Sequence, residues 1–450
     1  MAANRTPNTR LRRLIGEARW TGQALARAVN RAGAEAGLTL TYDRTAVAHW
    51  LAGVRPSAQV GKLVAEVLSR RLGRVLTLQD VGFGAPGMPP VAETARVPAT
   101  RPDSVARLAE LCAADADPAR RAALRELVFS VAALIGAAGR GYHPPEPPPP
   151  PVAPGRERAQ MVRAMTGMFS AADGSFGGGH IRPALTAYLS GHVVRWLREP
   201  ARPGAWNELA AAVAELVYLA AFVSYDCALS GLAQRYYLTA LGLAEQAGAA
   251  ALHATILRGM SVQAYGLRHH RAALRLAEAA AGRATMLPAP CAAALFGQLA
   301  VAEAVNGRLR EAGAQLSRAE RLLDRSGAAD GPVGAFHSAA LHYQAAEVQA
   351  AAGNPRGAIT LLSTSILQRP GEERRSRAVT TARLAQLQLE VGYLEAACAT
   401  VAELCDDYPY LSSVRVDAAL DGLRLRLRSF SGNGEARAAA ARIATVRAGA

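Results

Sequence analysis

The sequence predicts an all-α protein, and three observations carry that prediction. Apolar residues recur at helical spacing over most of the 450 residues, no segment sustains an alternation of period two, and a unit of glycine and small residues recurs along the C-terminal part. Half of the residues are hydrophobic and 5% are aromatic, which supplies apolar content for two or three cores and excludes a disordered or collagen-like chain.

Residues 1–85 read as short amphipathic helices. They hold thirteen basic residues (twelve Arg and Lys62) against five acidic ones, a net +8, while the other 365 residues carry only +7. Charge gathered on a small helical domain is the footprint expected for phosphate contacts. Asp43 is placed to cap a helix in which Val47, Trp50 and Leu51 turn inward, leaving Arg44, Thr45, Ala48 and His49 on the opposite face.

The stretch "RLRRLIGEARWTGQALARAV" resembles the first two helices of the Cro/repressor-type helix-turn-helix family, with Thr21 as cap of the second, and "YDRTAVAHWLAGVRPS" resembles its third helix and exit turn. The resemblance implies double-stranded DNA as partner and the third helix as reader. Arg44 would donate to guanine, Thr45 and Ala48 would meet a phosphate or a thymine methyl, and His49 would be a further reader. Arg10, Arg12, Arg13 and Arg55 would contact phosphates. Two departures stand out: "NRAGAEAGLTLTYD" is longer than the family's turn, and Gly22 stands where a glutamine usually opens the second helix, so the resemblance implies that Gln23 next to it takes that DNA-contacting place.

Two proline-rich spans, 86–104 and 143–156, read as linkers around a helical segment at 105–142. From 157 to 450 the pattern is almost continuously helical. "ADGSFGGGH" at 172–180 interrupts it; with no strand before it and Pro183 soon after, it reads as a plain loop rather than a phosphate cradle.

The large part contains a repeat. Gly307, Gly353 and Gly392 are each preceded seven residues earlier by an alanine (Ala300, Ala346, Ala385) and followed five residues later by another (Ala312, Ala358, Ala397). Nine residues after each glycine comes Leu316, Leu362 or Val401, and Pro370 or Pro409 closes the last two units. These offsets describe helix, left-handed turn, helix, stop. A copy around Gly266 is shifted by one residue and another from 230 is weaker still. Over roughly residues 205 to 430 the chain resembles the tetratricopeptide repeat family, which implies a solenoid that binds a peptide or protein partner on its concave face or dimerises. Helical phase nominates Asn306, His342, Gln349 and Gln388 as partner-binding residues.

Several chemistries are disfavoured. Lys62, in "VGKL", is the only lysine, so a Walker A loop or a Schiff base has no suitable residue. Five cysteines form no CxxC pair, and His337 and His342, about 140° apart on a helix, do not share a metal. No catalytic residue, cofactor or metal is therefore expected. The apolar window 216–233 carries Asp226 at its centre and reads as a buried helix, and an arginine-rich start without an apolar leader points to a cytoplasmic protein. Taken together, the parts resemble actinobacterial transcriptional regulators, a resemblance that implies a homodimeric DNA-binding regulator of differentiation or secondary metabolism. The alternative is a tetratricopeptide-type scaffold whose N-terminal domain makes protein contacts only.

Overall fold

The computed structural model describes residues 6–35, 38–72, 74, 76–84, 103–117, 129–139, 155–200, 202–326 and 336–449, and among these there are helices and turns but no strand. The linkers expected over 86–104 and 143–156 lie outside the described residues, except that Asp103 already caps one helix and Gly155 opens another.

The N-terminal domain contains α1 (Thr9–Glu17), α2 (Gly22–Glu35), α3 (Arg44–Leu51) and α4 (Ala58–Leu72). Its caps are local: Asn8, Thr21 and Asp43 each accept a backbone N–H three residues on. Leu11, Leu14, Leu25, Val29, Val47, Trp50, Val64 and Leu68 form one core, with Trp50 edge-on to Tyr42 at 5.2 Å and to Phe83 at 6.5 Å. Residues 38–43, which lead into α3, are neither helix nor strand. Asn30 Nδ2 donates to the Tyr42 carbonyl at 2.8 Å and its Oδ1 accepts the Tyr42 N–H at 2.9 Å, which fixes the approach to α3.

Next come α5 (Ser104–Ala116) and α6 (Val131–Gly139). The sequence separates this region as a segment of its own, but Val105, Leu108, Cys112, Phe129 and Leu134 belong to the same apolar core as the repeat array. The array continues as α7 (Gly155–Phe176), α8 (Gly178–Tyr188), a π-turn at Leu189–Val193 and α9 (Val194–Arg198). Six antiparallel pairs follow: α10 (Pro203–Asp226) with α11 (Ser230–Gln246), α12 (Ala250–Gly266) with α13 (His270–Ala281), α14 (Ala289–Ala304) with α15 (Leu309–Ser326), α16 (Ser338–Ala351) with α17 (Pro355–Gln368), α18 (Arg374–Glu390) with α19 (Leu394–Asp407), and α20 (Val414–Leu427) with α21 (Gly434–Ala448).

The repeat chemistry explains the pairing. Gly307, Gly353 and Gly392 have φ of +83°, +76° and +85°, and the alanines on either side of them, Ala300, Ala346, Ala385, Ala312, Ala358 and Ala397, are fully buried where the paired helices meet. In the two earlier pairs the left-handed position is held by Ala228 (φ +57°) and Arg268 (φ +62°) instead. Gly266 is therefore not the turn residue of its copy. A Cβ there would sit 1.9 Å from Tyr225 Oη, so glycine at 266 admits the tyrosine between α10 and α12.

The beginning and the end of the array meet. Arg375 on α18 pairs with Asp173 on α7 at 2.8 Å, Gly179 N–H donates to the Ser412 carbonyl at 2.9 Å, and Ser412 N–H donates to the Phe176 carbonyl at 2.8 Å. Asp226, at the end of α10, accepts the Gly178 N–H at 3.1 Å and the Ser413 hydroxyl at 2.8 Å. Gly204–Asp226 is long and apolar enough to cross a membrane by composition, yet 78% of that window is buried against other helices.

Candidate binding channel and N-terminal helix face

Closure of the array leaves a cavity of about 310 Å³ lined by a stripe from the first helix of each pair, together with Phe336 ahead of α16 and Arg369 at the end of α17. α10 contributes Phe222 and Tyr225; α12, Arg258, Val262 and Tyr265; α14, Gln298 and Val301; α16, Ala340, Tyr343, Gln344 and Glu347; α18, Arg375, Ser376, Val379 and Thr380; and α20, Arg415. Spacings of three and four residues keep these side chains on one face of each helix. The wall combines aromatic rings, guanidinium groups and a few amides and hydroxyls, a composition suited to a polar ligand with an apolar body.

One internal network holds the wall. Glu347 accepts the Tyr265 hydroxyl and the Arg383 Nε, the latter at 2.8 Å, so Arg383 compensates a carboxylate that is almost fully buried. Burial, reinforced by that carboxylate, pushes the Tyr265 phenol far above its ordinary range and keeps it a donor. Gln298 Nε2 donates to the Ser261 hydroxyl at 3.0 Å. Gln344, also buried, has an Oε1 without a hydrogen-bond partner among the described residues.

The four residues nominated by helical phase do not line this cavity. Asn306 donates to the carbonyls of His270 and Ala302 at 3.0 and 2.7 Å and braces the link between neighbouring pairs. Gln349 Oε1 accepts Asn354 Nδ2 at 2.9 Å beside the turn at Gly353. His342 lies one residue, about 100° of helix, away from the lumen residue Tyr343, and Gln388 is buried between helices. The turn glycines fix where helices begin and end, but not which stripe faces this cavity. The signal that could have found the lumen is Phe222, Tyr225, Tyr265 and Tyr343, aromatic residues recurring on first helices in a chain poor in them.

On the N-terminal domain, Arg44, Thr45, Ala48 and His49 share the exposed face of α3, while Val47 and Trp50 are buried beneath it. Gln23 Oε1 accepts the Arg44 N–H at 3.2 Å, so it ties the start of α2 to the start of α3. Arg12, Arg13 and Arg55 are exposed. Part of the basic charge serves cohesion instead: Arg70 pairs with Glu35 and Glu66 at 2.6 and 2.7 Å, Arg74 with Glu17 at 2.7 Å, and Arg10 donates to the Gln79 carbonyl at 2.9 Å.

The domain is fastened to the array through residues 129–131. Glu66 Oε1 accepts the Val131 N–H at 2.9 Å, Gln234 on α11 clamps both backbone groups of Ser130 at 2.8 and 2.6 Å, and Phe129 stacks on His269 with ring centroids 5.1 Å apart. Burial, with Arg70 close by, holds the His269 imidazole down to about 4, so it is neutral at physiological pH. The Cys112 and Cys227 thiols are each pushed up to about 12 by burial, which makes them poor nucleophiles. No group of three His, Cys, Asp or Glu side chains able to hold a metal occurs among the described residues.

No curated protein matches the chain. Among solved structures, the crystal structure of aspartyl phosphate phosphatase F from Bacillus subtilis is similar at 11% identity, over 67% of this chain and 96% of that chain, with a TM-score of 0.31. At the N-terminus, residues 11–84 match the SP15 N-terminal domain family, a span that runs from the first core leucine of α1 to the turn after α4, stops short of the array, and makes this domain similar to those of that family.

Proposed function

We propose that this chain is an interaction protein that holds a segment of a protein partner in the channel of its repeat array, and that it works by binding rather than catalysis. The observation that carries the reading is the single inward stripe drawn from successive first helices, which offers a peptide aromatic and hydrogen-bonding contacts spaced along a curved wall. A photo-crosslinking residue at Tyr343, followed by mass spectrometry of captured peptides, tests it. Crosslinked partner segments that disappear when Ala340→Trp fills the cavity support the reading. Capture indifferent to Ala340→Trp refutes it.

A second reading is favoured by the exposed face of α3. Arg44, Thr45, Ala48 and His49 stand together on a buried Trp50, as a recognition helix requires, and Arg12, Arg13 and Arg55 add positive charge to the same small domain. On this reading the protein is a cytoplasmic DNA-binding transcriptional regulator, working as a homodimer that doubles the base contacts, with the channel as its sensor. Selection of genomic fragments by the purified protein distinguishes the two. A recurring sequence whose binding falls by about 1–3 kcal/mol with Arg44→Ala, while Arg12→Ala weakens all sequences alike, supports the regulator. Fragments without a common sequence leave the N-terminal domain as a protein contact.

A further inference from the structure

Among the described residues, five charged side chains line the channel, and four of them are arginines: Arg258, Arg369, Arg375 and Arg415, against Glu347. Three of the five are matched. Glu347 pairs with Arg383 at 2.8 Å, Arg369 with Glu373 at 2.6 Å, and Arg375 with Asp173 at 2.8 Å. Arg258 and Arg415 have no carboxylate within ion-pair distance among the described residues. The Arg258 Nε donates to the Ala294 carbonyl at 3.2 Å and its guanidinium lies 6.0 Å from the Phe336 ring, while the Arg415 guanidinium lies 4.7 Å over Tyr225. Asp226, the acid beside Tyr225 in sequence, already accepts the Gly178 N–H and the Ser413 hydroxyl.

A half-buried guanidinium resting on an aromatic ring has given up part of its water, and neither the cation–π contact nor a hydrogen bond to a neutral oxygen, such as that of Arg258 to the Ala294 carbonyl, neutralises its charge. Its strongest complement is a carboxylate, which accepts two parallel N–H bonds and neutralises the charge. An amide ligand would satisfy single donors and leave the charge standing. The rings that flank the two arginines, Phe336 and Tyr225, would at the same time cover an apolar or aromatic neighbour of that carboxylate. Gln344 lines the same cavity and is nine-tenths buried, with its Oε1 lying against Gly297.

We infer that the segment held in the channel is acidic, with carboxylate side chains bound by Arg258 and Arg415 and an aromatic or apolar residue beside them. The inference rests on the proposal that the channel takes a peptide, and it names the chemistry of that peptide.

Random copolymers of glutamate with tyrosine and of lysine with tyrosine, labelled with fluorescein, are suitable probes in an anisotropy titration of the full chain at physiological salt. The glutamate–tyrosine copolymer is expected to bind, and Arg258→Gln and Arg415→Gln are each expected to weaken it about tenfold or more, with thermal unfolding recorded to show that the variants fold. Arg310→Gln and Arg321→Gln, exposed on α15, should bind like the parent. Retention by both channel variants with loss in the α15 variants overturns the inference, because the polymer would then sit on the outer surface. Binding of the lysine–tyrosine copolymer that Ala340→Trp abolishes also overturns it, while leaving the peptide channel standing. If Ala340→Trp affects neither copolymer, the acidic segment and the peptide channel fail together.

Discussion

Arg375 and Asp173 are 202 residues apart in sequence and form a buried ion pair: the guanidinium Nη2 lies 2.8 Å from the Asp173 carboxylate, and the Arg375 Nε donates to the Asp173 carbonyl at 3.3 Å. This pair joins the first helix of the array to its fifth pair and closes the channel wall. Removing one partner leaves a buried charge without compensation, so Asp173→Ala should destabilise the array by about 3–5 kcal/mol in denaturant titration. The double variant Asp173→Leu with Arg375→Leu should recover a large part of that loss. If it is as unstable as the single variant, the pair is not what holds the ends together.

The same junction needs glycine at 177. Its φ of +84° with ψ of 163° belongs to a region that only glycine occupies readily, and a Cβ would stand 2.6 Å from the Ser412 carbonyl oxygen. Gly177→Ala should therefore cost about 1–3 kcal/mol and raise hydrogen exchange at the Ser412 and Gly179 amides, whereas Gly174→Ala, whose Cβ would meet only an ordinary contact at 3.7 Å, should not. Equal exchange in both variants would refute this.

Attachment of the N-terminal domain should depend on pH through His269. The docked imidazole binds a proton only near 4, against 6.5 for a solvated one, so the released form takes up more protons between those values. Docking is then complete above 6.5 and weakens as pH falls toward 4. Glu66, whose carboxyl is raised by burial, acts in the opposite direction, so the variant isolates the effect. Protection factors for amide exchange over residues 129–139, each taken against the intrinsic rate at its own pH, should be lower at pH 5.5 than at 7.5 in the parent, and the difference should shrink in His269→Gln.

The buried alanines of the repeat should tolerate no enlargement. Ala346 and Ala385 have no exposed surface, and a leucine at either position forces paired helices apart at a cost of about 1–3 kcal/mol. Calorimetry should show the loss in the array, with hydrogen exchange of the α1–α4 core unchanged. A variant as stable as the parent would mean that the pairs are looser than this packing requires.

Helix content, caps and turns were legible in the sequence because they are set by neighbours within a few residues. Asp43 caps α3 through a backbone N–H three residues on, and Gly307, Gly353 and Gly392 adopt positive φ because the chain reverses there. Trp50 inside and Arg44, Thr45, Ala48 and His49 outside follow from the 3.6-residue period in the same way. Where the turn residue was Ala228 or Arg268, the sequence signal faded although the geometry persisted. Tertiary structure alone decided the rest. "ADGSFGGGH" reads as a plain loop, yet its glycines let α7 and α8 press against Ser412, and no spacing within the segment reveals a partner more than 230 residues away. Beyond the recurring aromatics, the inward stripe was likewise out of reach, since Arg258, Gln298, Gln344 and Arg415 sit on four different helices. Local sequence fixes the phase of residues within one helix, but the rotation of each helix about its axis is set by packing against its neighbours, and that rotation selects which side chains line the channel.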